Sequence, residues 1–384
     1  MARLFPTPLL LAAFLALFIP PLHAADIPPG TNDAVALVPV EYRHRLVQQL
    51  SLADANRQQW LDMLVTAKPD QRAALAFLLA NMPERDLKSL TGEFLLKDVA
   101  LAYEARAKFP WAAAVPEEIF FNDVLPYANL NERRDDWRGD FIQRFGPLVK
   151  DCKTAGEAAQ ALNREIFKQL NVSYHATKRL KPDQSPYESI NLHYASCSGL
   201  SILLADACRA VGVPARVTGT PLWTDKSGNH TWVEAWDGQW RFMGAAEPGP
   251  FNKTWFGDLA AKADDSKPEH RIYAASFRQT HTPFILVWDP QSTDYGAVDV
   301  TGYYVHRQNL KIEVRDAANH AAPAKIQVRQ DGRLIAQAKG KSASFELAAN
   351  ADYTIGAIVA GGKKIEKGAQ IPRDADTSVE LRIK

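Results

Sequence analysis

The sequence predicts an α+β protein in three parts: a helical N-terminal region, a mixed α/β core and a C-terminal β-sandwich. Three observations carry that prediction. Between about Glu41 and Lys108 apolar residues recur at spacings of three and four, as in packed helices. In the middle, a helical pattern that begins at Cys197 is followed by a strand and by an alternating hairpin that begins at His230. From Asn309 onward the apolar residues alternate with period two in short runs, as in a small sandwich. The expected parts are a leader over 1–24, helices over 25–115, the core over 116–297 and the sandwich over 298–384.

Each element has a local reason. Arg3, the apolar run Leu9 to Ile19, Pro20-Pro21 and then Ala24-Ala25 form the pattern of a secretory signal peptide cleaved after Ala24. That run is too short to span a bilayer, so the expected product is exported, periplasmic or secreted, with no integral membrane segment after cleavage. The helical region reads through Leu46, Val47 and Leu50; Trp60, Leu61 and Leu64; Leu75, Leu78 and Leu79; and Leu87, Leu90 and Phe94. Asn56, Asp70 and Asp86 suit helix starts, and Pro69 and Pro83 suit breaks. Phe109 to Pro116 reads as a linker, Ala155 to Leu170 as an amphipathic helix, and Pro182 to Ile190 as a polar, turn-prone rim ahead of Cys197. Phe284 to Trp288 reads as one more core strand.

Composition excludes some functions. The chain has 45 Lys plus Arg against 44 Asp plus Glu, so no net field recruits nucleic acid or an anionic membrane. Three cysteines cannot all pair, although export permits a Cys152–Cys208 bridge that leaves Cys197 free. A zinc reading through His193 lacks a second ligand pair, and no acidic loop of calcium-binding spacing occurs. No metal and no cofactor are expected. The sequons at Asn171, Asn229 and Asn252 matter only in a glycosylating host.

The chemistry lies between Tyr194 and Pro250. A thiol is a strong nucleophile as thiolate, and a helix N-terminus favours that form through its dipole and free N–H groups. Cys197 suits that place: Ser196 can cap, and Ser198, Gly199 and Ser201 keep the first turn small and polar. Leu200, Leu203, Leu204, Ala207 and Val211 then bury the helix, and Gly212 with Pro214 ends it. In the hairpin, a two-residue turn at Asp237-Gly238 sets His230 opposite Ala245, with Glu247 diagonal on the same side. Diagonal neighbours lie about 7–8 Å apart, so Glu247 can orient His230; a bulge at Gln239 reverses the parity and removes it. A lone cysteine on an apolar helix is more often a small hydrophobe, and Cys208 fits that description. The polar flanks and the matched histidine favour a nucleophile at Cys197.

Cys197-x-Gly199 on an apolar helix, Gly212-Val213-Pro214-Ala215-Arg216, His230-Thr231-Trp232-Val233-Glu234 and Trp240 together resemble the core of the transglutaminase-like superfamily. The resemblance implies a papain-like fold, with Cys197 as nucleophile and His230 as base. It also implies an aspartate four residues after Trp240; this chain has Gly244 there and offers Glu247-Pro248 instead. Papain-like enzymes often carry an oxyanion-donating amide several residues before the cysteine, which makes Asn191 the candidate. Trp223, Trp232 and Trp255 are candidate walls of a substrate groove. The expected activity is acyl transfer on a protein or peptide substrate through a Cys197 thioester, with hydrolysis slightly preferred over cross-linking. The alternative is a degenerate domain of the same fold that only binds peptide or glycan, which Gly244 favours.

Overall fold

The computed structural model describes residues 31–383, except 285–287, 290, 291 and 293. The expected leader, and most of the strand expected at Phe284 to Trp288, lie outside the described residues. No helix among the described residues is long and apolar enough to cross a membrane.

The N-terminal region is helical, as its periodicity requires: α1 (Thr31–Ala36), α2 (Val40–Leu52), α3 (Arg57–Thr66), α4 (Arg72–Asn81), α5 (Glu84–Ser89) and α6 (Gly92–Lys108). Pro83 stands at the N-cap of α5, and Pro69 opens a short 3₁₀ turn before α4. α4 is buried from Ala74 to Asn81, so the other helices wrap around it. Next comes α7 (Glu117–Asp123), whose Ile119, Phe120 and Phe121 join the same apolar cluster.

The core follows with α8 (Arg138–Phe145), α9 (Ala155–Leu170), β1 (Ser173–Tyr174), α10 (Pro186–Leu192), β2 (Tyr194–Ala195) and α11 (Cys197–Ala210). α9 and α11 begin at the expected residues. The stretch read as a turn-prone rim is instead helical at α10, where Ser185 and Glu188 form a reciprocal capping box with Pro186 at the first position. Five antiparallel strands complete the core: β3 (Ala215–Thr220), β4 (His230–Trp236), β5 (Trp240–Met243), β6 (Tyr273–Ser276) and β7 (Gly296–Asp299), in the order β5-β4-β3-β6-β7. Short helices α12 (Gly257–Ala260) and α13 (Thr301–Val305) flank them.

Both faces of this sheet are covered. α11 lies on the face carrying Ala215, Val217, Val233 and Ala235, while Trp232 and Phe242 on the other face pack with Trp223, Phe256 and Tyr304. A buried helix is therefore held rigid against the sheet, which suits a group that must stay in place.

The C-terminal region is a sandwich of β8 (Arg307–Arg315), β9 (Ala324–Gln330), β10 (Arg333–Gly340), β11 (Ser342–Ala348), β12 (Ala351–Ile358), β13 (Lys364–Ile371) and β14 (Thr377–Arg382). Its sheets run β10-β9-β12-β13 and β11-β8-β14, and one pair, β14 with β8, is parallel. Alternation along β8 buries Leu310, Ile312 and Val314. Cys152 and Cys208 are both free thiols, so the bridge that export would permit is not formed.

Candidate active site

Cys197 opens α11 and is half-buried. Ser196 occupies the N-cap in extended conformation, and its Oγ accepts a hydrogen bond of 3.1 Å from the Gly199 N–H. Glycine at 199 lets this turn pack closely, since a Cβ there would lie 3.1 Å from that of Ala195 and 3.4 Å from that of Gln184. Gln184 is fully buried and joins the preceding segment to this turn, accepting from Leu180 N and donating to Tyr194 O, both at 3.0 Å. Asn191, by contrast, is exposed on α10, and its side chain makes no hydrogen bond among the described residues.

His230 opens β4 beside that turn. The Ser198 and Thr231 hydroxyls, each one residue on from the candidate pair, hydrogen-bond at 3.0 Å in a buried position. Thr231 thus faces α11, and the pleat sends the His230 side chain to the opposite face with Trp232. There the imidazole is caged by aromatic rings: Trp255 and Phe256 at 4.9 Å, Trp232 at 5.9 Å and Trp223 at 6.3 Å. Burial lowers its pKa from 6.5 to about 4, so the ring is neutral at neutral pH. Its Nε2 is buried without a hydrogen-bond partner. No hydrogen bond joins His230 to Cys197 or to Glu247 among the described residues.

The hairpin differs from expectation. Trp236 pairs with Trp240 and Val233 with Met243, so the loop has three residues, Asp237 to Gln239, with Gly238 at φ +80°. One more pair in this register puts Gly244, not Met243, opposite Trp232 and diagonal to His230 on its face, with Ala246 rather than Ala245 opposite His230. This is the position where the family pattern carries aspartate. Glu247 reaches the same place by another route. The chain leaves β5 at Met243 and turns through Ala246 at φ +63°, and the Glu247 carboxylate folds back over Gly244. A Cβ on Gly244 would collide with Oε2 of Glu247, so the carboxylate occupies the space that a side chain at 244 would take. Its Oε1 accepts a 2.8 Å hydrogen bond from the Trp255 indole N–H, and burial raises the carboxyl pKa against that bond.

Sequence reasoning missed the residue that shapes this turn. Asn163 of α9 is buried, its Nδ2 donating to Gly244 O at 2.9 Å and to Glu247 O at 3.3 Å. Its Oδ1 accepts from Ala246 N at 2.9 Å. The available signal was an asparagine on the apolar face of α9 beside Leu162 and Ile166.

Of the three tryptophans expected to wall a groove, only Trp255 offers its ring to solvent, at 61% exposed. Trp223 and Trp232 are 4% and 0% exposed, stacked on each other with ring centroids 6.0 Å apart, and belong to the core. The expectation fails for them because the second face of the sheet is covered by α12 and α13.

Residues 143–245 match the family model of the transglutaminase-like superfamily. Solved structures that resemble the chain include a provisionally named cysteine protease of Cytophaga hutchinsonii, at 19% identity, 38% of this chain, 48% of that one and a TM-score of 0.29. Others are the Bacillus anthracis TIE protein, at 12% identity, 45% and 30% coverage and TM-score 0.18, and red sea bream transglutaminase, at 9% identity, 62% and 58% coverage and TM-score 0.27. The chain therefore spans less than two thirds of each. No curated protein matches it.

Proposed function

Residues 143–245 form a transglutaminase-like domain, and from that premise we propose that the protein is a cysteine-dependent acyl-transfer enzyme acting on peptide or amide bonds. One observation carries the reading. The Ser198–Thr231 hydrogen bond ties the first turn of α11, which Cys197 opens, to the start of β4, which His230 opens, and this supports bringing the two residues into one site. A neutral imidazole is the form a general base must take, and burial of His230 keeps it so.

In the proposed reaction His230 takes the Cys197 proton and the thiolate attacks the substrate carbonyl. The backbone N–H groups of the first turn of α11 stabilise the oxyanion. The proton passes from His230 to the departing amine as the C–N bond breaks, leaving an acyl thioester. Water, deprotonated by His230, then releases the acid; an amine in its place gives a cross-link. We prefer water. Glu247, freed from Trp255, orients the imidazolium. Action outside the cytoplasm is part of the proposal and rests on the leader-like first 24 residues.

The test is incubation with a thiol-directed acyl probe, followed by mass spectrometry. Wild type acquires one acyl adduct on Cys197, and Cys197→Ala acquires none; equal labelling of both defeats the assignment. A binding protein of the same fold is the second reading, favoured by the missing bond between Cys197 and His230 and by the glycine at 244. It predicts a pH profile for Cys197 alkylation that does not change in His230→Gln.

A further inference from the structure

A cavity of about 490 Å³ lies where the three parts of the chain meet, lined by α7, by β3, β4 and β5 of the core, and by β10, β11 and the turn before β10 in the sandwich. Its volume is in the range of small-molecule sites. It lies off the Cys197 turn, and neither Cys197 nor His230 lines it.

Most of its charged groups are already matched. Glu118 is bound by Arg329, Asp299 by Arg271 at 3.5 Å and Glu346 by Arg307 at 3.2 Å. Arg278 is turned over the Phe77 ring at 5.4 Å, and Asp331 sits in the exposed turn before β10. Three groups keep unused capacity.

Asp123 is 2% exposed, yet its carboxyl has a single partner, the Asn122 side-chain amide at 3.1 Å, and no cation within ion-pair distance. Burial raises its pKa to about 6 against the attraction of Arg216 and Arg209. Arg216 lies over the Trp240 ring with Cζ 3.8 Å from its centroid and directs Nε and Nη2 at one oxygen of Glu234, at 2.7 and 2.6 Å. Its Nη1 makes no hydrogen bond among the described residues. The Arg333 guanidinium has neither a hydrogen bond nor an ion pair among them. Burial lowers the Arg333 pKa, and the charge on Arg216 lowers it further.

A cavity whose lining holds both an unneutralised acid and unused guanidinium donors matches a ligand that carries both charges. A simple anion would leave Asp123 buried and unpaired, and a simple cation would leave the exposed Arg333 guanidinium without a counter-charge. We propose that this junction binds a small zwitterion, a free amino acid or dipeptide, with its ammonium on Asp123 and its carboxylate between Arg216 and Arg333. Because the site draws on the helical region, the core and the sandwich, an occupant would hold all three together. The inference is independent of the proposed thiol chemistry.

The experiment is isothermal titration of the full chain, as Cys197→Ala, with L-glutamine and L-alanyl-L-alanine. The same compounds follow with the amine acetylated or the carboxyl amidated, and then sodium acetate. The expected result is saturable binding of the zwitterions, weakened at least tenfold by either block and at least tenfold by Arg333→Gln or Asp123→Asn. Arg333→Gln lies on the exposed edge of the turn and tests the site even if Asp123→Asn fails to fold. Binding of acetate or of the blocked compounds as tightly as the zwitterions overturns the proposal. So does unchanged binding in Arg333→Gln, or no saturable binding at millimolar concentration.

Discussion

The two ends of β4 invite comparison. His230 and Glu234 stand four residues apart on the same face of one strand, Glu234 fully buried and His230 partly so. At Glu234 every demand is met: Arg216 holds one oxygen, and the Tyr304 hydroxyl donates to the other at 2.6 Å. Trp232, midway between them, extends that network by donating its indole N–H to the same Tyr304 oxygen at 2.8 Å. At His230 the network stops. The imidazole lies among rings with a buried nitrogen that bonds to nothing. Native structures pair their buried polar groups, so an unpaired one needs a reason. The paired end holds the sheet together, while the unpaired end is available to a proton or a reactant.

The largest effect is expected at the paired end. Glu234→Leu leaves the Arg216 charge buried and unmatched, and should lower unfolding free energy by about 3–5 kcal/mol in urea denaturation. The double variant with Arg216→Met should recover most of that loss. A double-mutant cycle with no coupling between the two would break the comparison from the structural side.

The unpaired end should show a pH signature. Because the folded-state pKa of His230 is depressed to about 4, the unfolded chain binds a proton there first as the pH falls. Stability from this residue is thus complete above about 6.5 and lost as the pH drops through 4, by about 3 kcal/mol in all. Asp123 and Glu247 are shifted in the opposite sense, and their contributions cancel when wild type is compared with His230→Phe. The difference in unfolding free energy between these two proteins should therefore favour the variant progressively between pH 6.5 and 4. A difference independent of pH would mean that the imidazole is hydrated in solution.

A smaller effect is expected from the turn that carries Glu247. Asn163→Leu removes three hydrogen bonds and leaves buried backbone groups unpaired, for a loss of about 1–3 kcal/mol. If Glu247 acts on His230, the same substitution should also slow labelling of Cys197 by the acyl probe by more than the fraction unfolded explains.

The smallest change in stability, under about 1 kcal/mol, is expected for Trp255→Phe, since the ring is largely in solvent and loses one hydrogen bond. Its value is as a probe. Freed from the indole, the Glu247 carboxylate should move to His230 and raise the imidazole pKa, which histidine NMR titration would detect. An unchanged titration would show that the two side chains never meet.

Much of the fold was legible because local rules and global packing agree. The Ser196 cap, the apolar stripe of α11 and the Gly212 stop define one helix without reference to anything distant. The period-two run of β8 and its neighbours likewise announces a sandwich. The errors came where one residue of register decides a face. A single extra residue in the hairpin loop moved Gly244 to the position diagonal to His230. A left-handed Ala246 then returned Glu247 to the spot that a straight strand would have denied it.

The sequence by itself determined which residues could be chemical, because a capped helix start and an alternating strand are properties of short segments. It could not say which tryptophans face water, how Asn163 pins a turn about eighty residues away, or that Asp123 and Arg333 open into one cavity. Those depend on contacts between segments far apart in the chain, and such contacts form only when the layers close on one another.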